Sequence, residues 1–390
     1  AVELEPEVPV QPRRVMLLDD EAVALALELA PARLLRLREV ALAVVGGERI
    51  GGLQAQEPAS PYIALWARLR EFEPASLDRA LAERRLVKGT VMRATVHIVS
   101  AADYRTLRSA TLPPLEGARR LDRRDVPDDG LLHDLRRRGA AFAAEPRSLT
   151  ELRDHLGERD GRSADELLWW LRRVHPLAHA PVDVPWSFGR RPLLVDADAW
   201  LGAGEWPDPA TSMERLVRRY LGAFGPASVA DIARWAGVSV ARVRPGVEAV
   251  ESAGDIRRFR SEAGRQIIDL AGAPLPDEDV PAPPRFLSMW DSPVLAYDDR
   301  TRIVSDADRA RVIARNGDTL PVFLVDGAVA GRWWVVVDAG RTRIELEPFR
   351  RLARADRAVL EELGDRLARF VEPHEPAVYS RYQRWRKDTR

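Results

Sequence analysis

The sequence predicts an α+β protein: three serial units of helices closed by strand-like runs, then a β-rich C-terminal domain. Three observations carry this expectation. Helical periodicity gives way to β-branched runs, as at residues 89–99, and similar helix-then-strand successions follow downstream. The stretch from Ser148 to Gly157 aligns without gaps on the stretch from Ser228 to Gly237, so a unit repeats. Beyond a proline-marked linker at 273–284, short strands replace long helices. Helices followed by a β-hairpin have the order of a winged helix, and tandem winged-helix modules are the architecture expected.

The elements follow in order. Residues 1–16 are acidic and proline-containing, without the basic start and apolar core of a secretory signal, and are expected to be a flexible lead-in. The first module, 17–110, opens with an Ala/Leu helix over 21–45, capped by Asp19 or Asp20 and divided by Pro31. Helices over 60–70 and 76–85 and the strand or hairpin at 89–99 complete it. The second module, 111–205, starts a helix at Ser148, with Glu151 three residues on as a capping partner and Gly157 as its stop. A helix over 164–174 and strands within 181–195 follow. The third, 206–272, repeats the pattern with Ser228, Asp231 and Gly237, and Ser239 is positioned to cap the next helix. Strands are expected within 255–270. In the C-terminal domain, 285–390, strands are expected at 285–295, 301–304, 319–325, 328–338 and 341–346, before a closing helix over 355–370. Asp326-Gly327 is a two-residue hairpin signal.

Composition narrows the chemistry. The 390 residues carry 60 basic and 60 acidic side chains, so the chain is not a uniformly basic polymer binder. There is no cysteine, which removes thiolate metal sites, iron–sulfur clusters and thiol nucleophiles. His175 and His179 are separated by Pro176 and make a poor shared ligand face; no metal or cofactor is expected. No apolar run approaches the roughly 20 residues of a membrane span, and a cytoplasmic location is expected. Lysine occurs only at Lys88 and Lys387, a bias ascribed mainly to genome composition.

The most pointed local feature is Gly51-Gly52-Leu53-Gln54-Ala55-Gln56-Glu57-Pro58. Alternating residues of an extended segment face one way, so Gln54 and Gln56 converge on one spot. Their amides offer four donors and two carbonyl acceptors, enough to hold a water.

These residues bring a family into view. The Gln54-Ala55-Gln56 stretch, Tyr62 to Arg68, Met92 to His97, Tyr220 to Ala227 and Val325 to Trp333 together resemble the AlkZ/YcaQ family of winged-helix DNA glycosylases. The resemblance runs from about Leu17 to Phe370. It implies tandem modules arranged around double-stranded DNA carrying alkylated bases, and removal of bulky or cross-linking adducts. Catalysis in that family rests on a glutamine, an apolar residue, then glutamine or aspartate. Gln54 and Gln56 match the double-glutamine form, which is associated with self-resistance to DNA-alkylating natural products.

Two amides can serve such a reaction. A purine alkylated at N7 is already cationic and leaves as a neutral base, so no general acid is needed. What remains is to place a water and accommodate an oxocarbenium-like sugar; one positioned dipole contributes about 2.7–4 kcal/mol in comparable sites. A monofunctional glycosylase acting as a monomer is the expectation. The alternative is a non-catalytic DNA-binding protein, a regulator or damage sensor. Glu57 is expected to face outward at the helix start. Arg93, Thr95 and His97 share one strand face and are assigned to DNA, with Arg257, Arg258 and Arg332. The arginine groups 119–124 and 136–138 are further phosphate candidates, and the pairs Trp169-Trp170 and Trp333-Trp334 are read mainly as core.

Overall fold

The computed structural model describes residues 50–69, 72–111, 126–189, 191–261, 263–274 and 281–389. The helix expected over 21–45, the arginines at 119–124 and the acidic part of the linker lie outside them.

The first region runs β1 (Leu53–Gln54), α1 (Ala59–Trp66), α2 (Pro74–Ala82), β2 (Leu86–Thr90), β3 (Val96–Ser100) and α3 (Ala101–Thr111). Helix α1 buries Tyr62, Ile63 and Leu65 on several sides, whereas α2 opens with a proline and buries only Ser76, Leu77, Ala80 and Leu81. The second region holds α4 (Asp129–Phe142), β4 (Arg147–Ser148), α5 (Leu149–Leu156), α6 (Ala164–Val174), β5 (Leu177–Ala180), β6 (Leu193–Asp196) and α7 (Ala197–Leu201). The third holds α8 (Pro209–Phe224), α9 (Val229–Ala236), α10 (Val240–Ser252), β7 (Ile256–Arg260) and β8 (Gln266–Leu270). The C-terminal region contains β9 (Arg285–Leu287), α11 (Ser292–Leu295), α12 (Arg309–Val312), β10 (Val322–Val325), β11 (Ala328–Asp338), β12 (Arg341–Pro348) and α13 (Arg354–Val371).

The repeated helix start is present in both copies. Ser148 and Ser228 each accept the backbone N–H three residues on, and Glu151 and Asp231 return the contact, two complete capping boxes. Gly157 and Gly237 stop the helices at φ +63° and +76°, where a Cβ is disfavoured. Ser239 precedes α10 without a side-chain cap.

Strands expected in separate modules join one six-stranded sheet in the order β1-β3-β2-β5-β6-β4. The seam is β2 on β5, where Lys88 faces His179 and Gly89 faces Ala178. Pairing the two inner edges satisfies ladders that each hairpin alone would leave open. Three expected strands are corrected. Residues 285–295 are strand only over β9 and end in the short helix α11, which has Pro293 in its first turn. Residues 301–304 form a 3-10 turn (Arg300–Arg302) because Asp299 accepts from the N–H of Thr301, and 181–195 is strand only at its end, β6, after another 3-10 turn (Pro185–Ser187). The Asp326-Gly327 hairpin forms with both residues at positive φ, joining β10 to β11 in the four-stranded sheet β12-β11-β10-β9.

One apolar cluster joins α3 to α8, α9 and α10; a second joins β1, α1 and α2 to the C-terminal sheet and α13; a third holds α4 to α6. Leu53 and Ala55 belong to the second, while Gly51 abuts Trp235 of the first. The glutamine segment therefore lies between two cores, on the edge strand β1. Trp333 and Trp334 are both buried, as is Trp170; Trp169 is half-buried under Arg173.

Candidate active site

Paired glycines set the entry to the site. Gly51 and Gly52 adopt φ +66° and +100°, and a Cβ on either would lie 2.9 Å from Trp235 or Val99. The side chain of Ser292, on α11, donates to the Gly52 carbonyl at 3.1 Å, so the C-terminal region holds the turn. Strand β1 then pairs with β3, Leu53 opposite Ile98 and Gln54 opposite His97.

The two glutamine side chains meet. The backbone N–H of Gln56 donates to Gln54 Oε1 at 3.1 Å, and Gln54 Nε2 donates to Gln56 Oε1 at 2.6 Å. A backbone N–H can only donate, so the atom facing it is the Gln54 oxygen and the amide orientation follows. Gln54 is 5% exposed and Gln56 is exposed, so a buried amide fixes a surface one. Each carbonyl keeps one lone pair, and the Gln56 amino group donates to nothing among the described residues.

Arg93, Thr95 and His97 depart from the expected strand face. Met92–Ala94 is a 3-10 turn with Arg93 and Ala94 at φ +54° and +53°, and β3 starts only at Val96. Thr95 is tied to the Met92 carbonyl. His97 is 1% exposed: Arg93 donates to Nε2 at 3.1 Å, so Nδ1 carries the proton and donates to Thr95 O at 3.0 Å. Burial, then the Arg93 charge, pushes the imidazole down to about 3, which keeps it neutral at neutral pH. The other end of Arg93 donates to the Trp235 carbonyl at 2.6 Å.

Glu57 faces inward, against expectation. It is 9% exposed, accepts from the Tyr382 hydroxyl at 2.8 Å and is ion-paired with Arg381. The cause is the chain end folding back over the start of α1, where Tyr379 also bonds Ser60 at 2.8 Å.

A family model described as DNA glycosylase AlkZ-like matches residues 48–370. The chain belongs to the AlkZ-like DNA glycosylase family. The solved structure of Streptomyces sahachiroi DNA glycosylase AlkZ is similar in fold, with a TM-score of 0.68 at 21% identity over 84% of this chain and 90% of that one. No curated protein matches.

Elsewhere in the glycosylase, the remaining DNA candidates are engaged internally. Arg258 makes two 2.6 Å bonds to Glu251, and Arg257 donates to the Ala273 carbonyl. Arg332 is 2% exposed, paired with Glu347 and bonded to the Arg311 carbonyl. In the 136–138 group, Arg136 and Arg138 hold the carbonyls of Val174 and His155, and Arg137 pairs with Asp134.

Sequence reasoning passed over Lys88. A cavity of about 390 Å³ opens behind the glutamine segment, with Gln56, Glu57, Lys88, His179, Trp186 and Phe188 among its walls. Lys88 is 6% exposed, its ammonium sits 4.0 Å from the Phe188 ring, and burial pushes the amine down to about 7. The signal was present: of 60 basic residues, only this one and Lys387 are lysine. Gln54 does not line the cavity. By register, Gln54, His97 and Gly89 face one side of the sheet and Leu53, Ile98 and Lys88 the other, with Gln56 at the rim between them.

Proposed function

We propose that this glycosylase hydrolyses the N-glycosidic bond of N7-alkylated purines in duplex DNA, bulky or cross-linking adducts included, with Gln54 and Gln56 holding the attacking water. The observation that carries the reading is the locked amide pair, to which no titrating group among the described residues is bonded. Glu57, the nearest carboxylate in sequence, is committed to Arg381 and Tyr382, and His97 is held neutral by burial. A site built from amides cannot protonate a leaving base. It suits a substrate whose base is already cationic and departs neutral, with oriented dipoles facing the developing positive sugar.

In this reading the helix-and-hairpin units act as winged-helix modules along DNA, and one chain suffices as a monomeric, monofunctional enzyme. The biological setting is DNA repair or self-resistance to a DNA-alkylating natural product. The test is single-turnover incubation with a duplex carrying one N7-alkylguanine, with free base measured by chromatography. Release by wild type, lost in Gln54→Ala and Gln56→Ala and absent from undamaged duplex, is the expected result. Tight, salt-sensitive binding without release would favour a regulator or damage sensor.

A further inference from the structure

We propose that Arg93, Arg234 and Arg300 form one phosphate-binding site, which holds the DNA backbone beside the glutamine pair. The proposal rests on the DNA-glycosylase reading and names the groups that would seat the strand.

The arrangement starts from Gln54. Its cross-strand neighbour is His97, His97 accepts from Arg93, and Arg93 reaches the carbonyl of Trp235 at the end of α9. Arg234 is the residue before Trp235 and is exposed. Gly237, which ends α9, packs so closely on the Arg93 backbone that a Cβ there would lie 2.5 Å from its Cα. Arg300 heads the 3-10 turn Arg300–Arg302 and is half-buried, and the segment before that turn is tied to α9, the helix of Arg234, by the Asp298 N–H donating to Asp231 at 2.8 Å. Three elements distant in sequence thus bring guanidinium groups together on the glutamine side of the sheet.

The charges are not balanced from within. Arg93 spends its bonds on a carbonyl and a neutral imidazole, not on a carboxylate. The guanidinium groups of Arg234 and Arg300 make no hydrogen bond or ion pair among the described residues. Burial and then the charges of Arg234 and Arg300 hold Arg93 down to about 10, and Arg300 is lowered by burial, Arg234 and Arg309, with only Asp298 opposing. Other arginines among the described residues are paired with carboxylates, as Arg258 is with Glu251 and Arg332 with Glu347. Uncompensated guanidinium groups in one place favour a multivalent anion, and the forked donors of arginine match phosphodiester oxygens. Immediately beyond, the start of α10 presents exposed Ser239, Val240 and Arg244 on the second helix of a helix–turn–helix arrangement.

The experiment measures duplex binding by fluorescence anisotropy over a salt series, for wild type, Arg234→Gln, Arg300→Gln and the double variant, with melting temperature as the folding control. Each single change is expected to weaken binding several-fold and reduce the slope of log K against log salt by about one; the double variant by about two. Arg366→Ala, on the exposed side of α13, is expected to keep the wild-type slope. Wild-type slopes in Arg234→Gln and Arg300→Gln would overturn the proposal, and so would an equal loss in Arg366→Ala. Gln54→Ala separates the two readings: it should lose base release and keep the full slope. Reduced slopes in a protein that releases no base would sustain the phosphate site while ending the glycosylase substrate proposal.

Discussion

At the scale of single residues, Gln54 and Gln56 act as a unit, because each uses the other to fix its amide. Gln54→Ala should remove the partner that orients Gln56, so the double variant is expected to be little worse than either single. Single-turnover base release is expected to fall by roughly 100-fold in each, the range for loss of one positioned dipole. Additive losses in the double variant would mean the amides work separately. His97 gives a pH prediction. Its folded value near 3 lies below the unfolded value near 6.5. The unfolded chain therefore binds the proton first as pH falls, and stability drops between about 6.5 and 3 by up to about 1.4 kcal/mol per pH unit for this group. An NMR titration should show the imidazole still neutral and Nδ1-protonated at pH 5; a midpoint near 6.5 would contradict its burial beneath Arg93.

At the scale of elements, the parts legible in the sequence were those whose signals are local. Ser148 with Glu151 and Ser228 with Asp231 announced two helix starts, and both capping boxes formed. Asp326-Gly327 announced a hairpin, and the residues on either side pair. Gln54 and Gln56 were placed together by spacing alone, and their amides bond. What escaped depends on long-range contact. The alternation through Arg93, Thr95 and His97 read as a strand face, but Arg93 is drawn into a left-handed turn against Gly237 and Trp235, which lie more than 140 residues on. Arg332 read as a DNA contact, yet Glu347 opposes it on the neighbouring strand and closes it off. The Gly237 position offers a test. A side chain there meets both a disfavoured φ and the Arg93 backbone, so Gly237→Ala should destabilise by more than the ~1 kcal/mol typical of backbone strain alone. Gly254→Ala, at φ +80° just past the end of α10 with open space around it, should cost less. Chemical denaturation of both variants decides; equal losses would remove the packing explanation.

At the scale of the whole molecule, the two ends of the described chain meet over the site. Glu57 is held by Arg381 and Tyr382, Ser60 by Tyr379, and Arg68 on the turn after α1 forms a buried pair with Asp291 at 2.5 Å. The C-terminal region thus fixes α1, and through α1 and Ser292 it fixes the glutamine turn. This assigns Glu57 to structure, although it stands one residue from Gln56. A carboxylate that pairs with a guanidinium and accepts a phenol is poorly placed to take a proton from water, and removing its partners leaves a buried charge. Tyr382→Phe combined with Arg381→Ala should therefore destabilise the protein by about 2–4 kcal/mol. Adding Glu57→Gln should restore part of that loss, because the charge left unpaired is gone. Glu57→Gln alone should keep base release within about tenfold of wild type, against the far larger loss expected in Gln56→Ala. A collapse of activity in Glu57→Gln with stability retained would make Glu57 the base and require the strap of residues 379–382 to lift before the reaction.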